Sequence, residues 1–167
     1  MAMTLVSTVT VGSGGAASIQ FDNIPQSGKD LLLLFSGRVG AGGTFRDYNL
    51  HINGNTTGTS YTLRTLLGTG SSVLSYSATE ARFAMEINDS SSTANTFSNV
   101  QVYFANYTSS AAKSVSIDLV GENNATASRQ SIDAGLWNNT SAITSLTLRD
   151  RGFNTSEFSS ASLYIIS

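Results

Sequence analysis

Apolar and polar residues alternate along most of this chain, and no run at helical spacing is longer than about twelve residues. Thr4 to Val11 sets Leu5, Val9 and Val11 against Thr4, Thr8 and Thr10, and Gly12 to Gly15 then turns the chain. That pattern predicts an opening strand and a hairpin turn. Ala17 to Phe21 is a short apolar stretch, followed by the only proline, Pro25. Leu31 to Phe35 is a continuous apolar run cut off by Gly37 and the glycines at 40 to 43, which predicts a central strand covered on both faces. Asp47 to Ile52 alternates into Asn53-Gly54, the strongest short hairpin signal, because both residues tolerate positive φ. Tyr61 to Leu67 is expected to be the returning strand, although Leu63, Leu66 and Leu67 also fit a helical turn, and Val73 to Ala78 is ambiguous.

The second half is clearer. Phe83, Met85 and Ile87 alternate with Arg82, Ala84 and Glu86, and strands are expected within Thr96 to Tyr107 and Ser114 to Val120. Arg129 to Trp137 brings the chain back, and Ala142 to Leu148 and Ser160 to Ile166 close it. Trp137 stands just before this closing pair, where a large ring can seal the end of a core. About eight to ten such strands spell an all-β, jelly-roll-like antiparallel β-sandwich occupying 1–167 as one domain. Residues 1–11 are the candidate for a strand exchanged with, or docked on, a neighbouring subunit.

Composition narrows the function. Charged residues make up 12% of the chain, about half the usual share of roughly 25%. Solubility falls to 27 Ser, 19 Thr and 13 Asn. Nine basic residues scattered singly, at a net charge of −2, leave no patch for nucleic acid. The longest apolar run is five residues, too short to cross a bilayer, and the N-terminus lacks the features of a secretory signal, so a soluble protein made in the cytoplasm is expected. Cysteine is absent, which removes disulfides, thiolate metal sites and a cysteine nucleophile.

No catalytic constellation is legible, and an enzyme is not expected. A triad would rest on His51, the only histidine, which lies on an alternating strand where packing is its ordinary role. Glu80, Glu86, Asp118 and Asp133 lie in or beside strands, but no spacing singles out the carboxylate pair of a glycosidase. Asn88, Asp89 and Glu122-Asn123-Asn124 offer hard oxygen ligands without the acid-rich loop of a dedicated calcium site, so neither metal nor cofactor is expected. Trp137 with Asn138 and Asn139 is the best candidate for a glycan-stacking platform. The bland alternative is that aromatics fill the core or a subunit contact, with Trp137, Phe153, Phe158, Tyr164, Leu5 and Val9 as the anchors.

Three stretches carry a resemblance. They are Gly135-x-Trp137-x-x-Thr140-x-Ala142-Ile143-Thr144-Ser145-Leu146 with Phe158-Ser159-Ser160-Ala161-Ser162-Leu163-Tyr164; Phe21-Asp22-Asn23-Ile24-Pro25 with Asp30-Leu31-Leu32-Leu33; and Asn95-Thr96-Phe97 with Phe104-Ala105-Asn106-Tyr107. Taken in chain order they cover most of the sequence and resemble small β-sandwich virion proteins of tailed bacteriophages, although Ile165 stands where those proteins commonly carry a glycine. The resemblance implies a sandwich displayed on the particle, frequently as a homotrimer. It implies either a decoration (cement) protein bound to the major capsid protein between capsomers on the outside of the head, or a tail component touching host surface glycan. The length favours decoration, with a partner that is protein and neither nucleic acid nor membrane.

Overall fold

The structure, a computed structural model, describes residues 2–125 and 127–167. These residues form twelve antiparallel strands and no helix: β1 Met3–Thr10, β2 Ile19–Phe21, β3 Asp30–Gly37, β4 Phe45–Ile52, β5 Tyr61–Gly68, β6 Val73–Glu80, β7 Phe83–Asn88, β8 Ser98–Phe104, β9 Lys113–Gly121, β10 Arg129–Trp137, β11 Leu146–Arg149 and β12 Ser160–Ile166. They make an eight-stranded sheet, in the order β1-β12-β3-β8-β9-β10-β5-β6, and a four-stranded sheet, in the order β2-β11-β4-β7. Setting aside the β5–β6 and β9–β10 hairpins leaves eight strands that switch sheet at every step along the chain except from β4 to β7, which pair within the smaller sheet. Those hairpins extend the larger sheet beyond its partner.

Alternation supplies the core, since residues two apart share a face. Leu31, Leu33 and Phe35 of β3, Val100, Val102 and Phe104 of β8, and Val115, Ile117 and Leu119 of β9 turn inward onto Tyr48, Leu50, Phe83 and Met85 of the smaller sheet. Two aromatic contacts tie the layers: Phe35 stacks on Tyr48 at 5.1 Å and Tyr61 meets Phe83 edge-on at 5.0 Å. Each such pair contributes about 0.5–1.5 kcal/mol beyond its area. Gly135 is required by this packing, because a Cβ there would lie 2.8 Å from the Phe83 ring.

The sandwich is as expected, with more strands than the alternation alone revealed. β6 is exposed along most of its length, so it carries no core-facing stripe to mark it. The Asn53-Gly54 turn is present, at φ 51° and 64°, yet it does not close a hairpin, because the chain crosses from β4 in one sheet to β5 in the other. Asn53 is held by a bond from Nδ2 to the Ala142 carbonyl and by accepting the Thr144 and Ser145 N–H groups. The predicted strand at Ala142 to Leu148 is correspondingly short: 142–145 is a loop pinned by the Ile143 N–H on the Tyr107 carbonyl, and β11 begins at Leu146. Leu32 and Leu34, expected to be covered, are half-buried on the outer face of β3. β1 pairs with β12 of its own chain, from Met3 opposite Ile166 to Thr10 opposite Ser160, with a bulge between Leu5 and Ser7.

Candidate functional site

The outer face of the eight-stranded sheet is the broadest exposed surface of the fold. Register places Leu5, Tyr164, Leu32, Tyr103, Ser116, Ala134, Arg64 and Ser77 in one row across all eight strands. The adjacent row runs Thr8, Ser162, Leu34, Gln101, Asp118, Ile132, Leu66 and Ser75. Arg64 and Asp118 are the only charges in these sixteen positions. Leu5, Leu66 and Ile132 each expose more than half of their surface. A low-charge face with scattered apolar side chains and many hydroxyls and amides suits contact with protein.

At one margin of this face lies β6, a bare sheet edge. The Thr69 N–H donates to the Ser72 carbonyl at 3.0 Å and closes the β5–β6 hairpin. Antiparallel alternation then bonds Leu74, Tyr76 and Ala78 to β5 and turns the N–H and C=O groups of Val73, Ser75, Ser77 and Thr79 outward. The strand has no proline, no bulge and no charge before Glu80, so it lacks the devices that normally blunt an edge. Its sequence from Val73 to Thr79 is also nearly symmetric about Tyr76: Ser75 matches Ser77, and β-branched Val73 matches Thr79.

The anchors expected from sequence divide. Trp137 is 1% exposed at the end of the core, beside Lys113, whose buried ammonium lies 5.8 Å from the ring centre and donates to the Ser109, Ala111 and Ser141 carbonyls. Burial removes Trp137 as a glycan platform. Asn138 and Asn139 do turn work instead: the Asn138 N–H bonds the Ser60 carbonyl, and Asn139 Oδ1 accepts the Ser141 N–H. Val9 packs half-buried against the core, while Leu5 and half-buried Tyr164 sit on the outer face. Phe153 and Phe158 are exposed rather than core residues; the Arg46 guanidinium covers Phe153 at 4.7 Å, and Phe158 is 70% exposed at φ +69°.

The candidate carboxylates are dispersed. Glu80 pairs with Arg82 at 2.9 Å and Glu86 pairs with Arg129. Asp118 and Asp133 belong to opposite faces of the larger sheet, and burial pushes the Asp133 carboxyl above its usual range, opposed by the Ser131 hydroxyl at 3.0 Å. Of the oxygens weighed for calcium, those of Asn88, Asp89 and Glu122 already have donors, whereas Asn123 Oδ1 is buried without one. Asp89 accepts the N–H groups of Ala41, Gly42, Gly43 and Ser90, while Asn88 bonds Ser98 and Thr96. The described residues contain no group of three acids or histidines placed to hold a metal.

The basic residues, in contrast, are not scattered singly. Pairing brings Arg149 beside Asn49 and Thr147 beside His51 on the outer face of the smaller sheet, where Arg82 and Arg151 join Asn49, His51 and Arg149 around one cavity. Sequence spacing gave no signal of this, because the residues come from three separate segments. Comparison with family models, curated proteins and solved structures finds no match to this chain.

Proposed function

We propose that this chain is a non-enzymatic structural subunit of a bacteriophage virion, a decoration protein that docks on the outer capsid surface and stabilises the head. The observation that carries this reading is the pairing of strand order with surface. Without those hairpins the strands lie as β1-β12-β3-β8 over β2-β11-β4-β7, which we read as a jelly roll, an architecture used by viral capsid and lectin domains. By that analogy of fold, and with the resemblance in the sequence, a virion is the natural setting. The added β5–β6 and β9–β10 hairpins widen one sheet into the low-charge outer face, which adds contacts that the bare shell lacks and favours the assembled state by mass action.

β6 offers a self-association surface as well, a two-fold one that makes a dimer where the resemblance implies a homotrimer. A second copy turned about a two-fold axis at Tyr76 would set Ser75 opposite Ser77 and Val73 opposite Thr79, each pair exchanging two backbone hydrogen bonds. The tail-glycan alternative loses its named platform with the burial of Trp137. Heating expanded capsids with and without the protein tests the proposal: bound protein raises the temperature at which the shells break, and identical survival curves would refute it.

A further inference from the structure

The outer face of the four-stranded sheet differs in chemistry from that of its partner. Arg149 of β11 lies directly opposite Asn49 of β4, and Thr147 opposite His51. The β6–β7 turn adds Arg82, the segment after β11 adds Arg151, and with Asn49, His51, Arg149 and Thr56 they enclose a cavity of about 180 Å³. Three of the chain's nine basic residues and its only histidine thus converge on one small space. Among the described residues Arg149 and Arg151 have no carboxylate at ion-pair distance. Arg82 is partly neutralised by Glu80 at 2.9 Å and by Asp47 at 3.8 Å, and it lines a second cavity with those two acids, Tyr61 and Tyr76, so among the described residues the unpaired charges of the first cavity are Arg149 and Arg151.

One buried polar atom here lacks a partner: Asn49 Oδ1, on a residue 2% exposed, is an acceptor without a donor. Leaving such a group unpaired is costly, which marks a place where a ligand can supply the missing bond. We propose that this cavity binds the oxyanion of a small hydroxylated acid, such as an acidic sugar residue. Arg149 and Arg151 supply charge-assisted bonds to the oxyanion, and a ligand hydroxyl donates to Asn49. His51 is the reporter. Burial lowers its pKa, the Asn55 carbonyl opposes this, and the Arg149 and Arg82 charges lower it further, so a bound anion stabilises the imidazolium and moves the titration upward. The inference is independent of where the protein sits in a virion.

The test follows the single histidine by NMR during pH titration in sodium sulfate and in sodium chloride at matched ionic strength, which equalises screening. Sulfate is expected to raise the His51 pKa saturably above its chloride value. The Arg149→Ala/Arg151→Ala variant, altered only at exposed side chains and checked by its melting temperature, is expected to lose that difference, whereas Arg64→Ala on the other sheet keeps it. Identical titrations in the two salts, or a difference that survives loss of both arginines, would overturn the proposal. A second arm compares glucuronate with cyclohexanecarboxylate, which has the same single carboxylate on a six-membered ring and no hydroxyl. Preference for glucuronate by roughly three- to tenfold, abolished by Asn49→Ala, is expected from one hydroxyl bond. Equal binding would overturn the assignment of a hydroxyl to Asn49.

Discussion

Arg38 offers the sharpest test of how the loops at one end of the sandwich are held. Arg38 is 9% exposed, and its guanidinium has no carboxylate at ion-pair distance among the described residues. Instead it donates to four backbone carbonyls, those of Thr93 at 2.8 Å, Thr96 at 2.9 Å, Ser92 at 2.9 Å and Ser90 at 3.1 Å. One side chain therefore organises a polar loop that has little apolar surface of its own. Arg38→Met keeps the length and removes every donor. Each charged bond is worth roughly 1.5–3 kcal/mol when its acceptor stays buried. Most of this loop is exposed, however, so several carbonyls regain water, and the guanidinium's own desolvation cost is relieved. The expected net loss is about 3 kcal/mol, a lowering of melting temperature by roughly 6–12 °C. Urea unfolding followed by the fluorescence of Trp137 measures it, with the slope against denaturant unchanged. Arg38→Lys should recover less than half, because an ammonium cannot span four carbonyls that a planar fork reaches. A methionine variant within about 1 kcal/mol of the parent would refute this account.

The other predictions concern acid and the sheet edge. Burial raises the Asp89 pKa, but the N–H groups of Ser90, Gly43, Ala41 and Gly42 outweigh it and hold the carboxyl below its ordinary value. A depressed folded pKa gives stability that is present above about pH 4 and lost as pH falls through the folded value, so Asp89→Asn should flatten the acid limb of a melting-temperature profile. An unchanged limb would place acid sensitivity elsewhere. At β6, Ser75→Lys/Ser77→Lys puts like charges opposite each other in the two-fold register. Light scattering should change from twice 17.5 kDa to 17.5 kDa, and mixing with Ser75→Glu/Ser77→Glu should restore the larger species. A parent that is monomeric, or a trimer indifferent to both variants, would reject pairing through β6.

Where one face of a strand meets the core, the sequence announces it. Ser114 to Val120 and Arg82 to Ile87 alternate because Val115, Ile117, Phe83 and Met85 are buried while their neighbours are not. β6 escapes that logic, since both of its faces meet solvent. The Asn53-Gly54 turn shows a different gap: local chemistry fixes positive φ, but whether the next strand pairs nearby or across the sandwich is decided by tertiary packing. Trp137 was readable as a large ring near a strand end but not as buried or exposed, because flanking asparagines suit both a ligand platform and a turn. The arginine cavity was hidden for a simpler reason. Residues 49, 51, 82, 149 and 151 become neighbours only through strand register and the turn after β6.

The central claim is that the widened sheet docks on a capsid, and co-sedimentation tests it most directly. Purified protein is mixed with expanded capsids of the phage to which the proposal assigns it, pelleted and quantified, beside a Leu66→Lys/Ile132→Lys variant that charges two exposed positions of the outer face without touching the core. The account predicts saturable co-pelleting of the parent and a loss of at least tenfold in affinity for the variant, about 1.4 kcal/mol or more. A parent that stays in the supernatant, or a variant that pellets equally well, would contradict it.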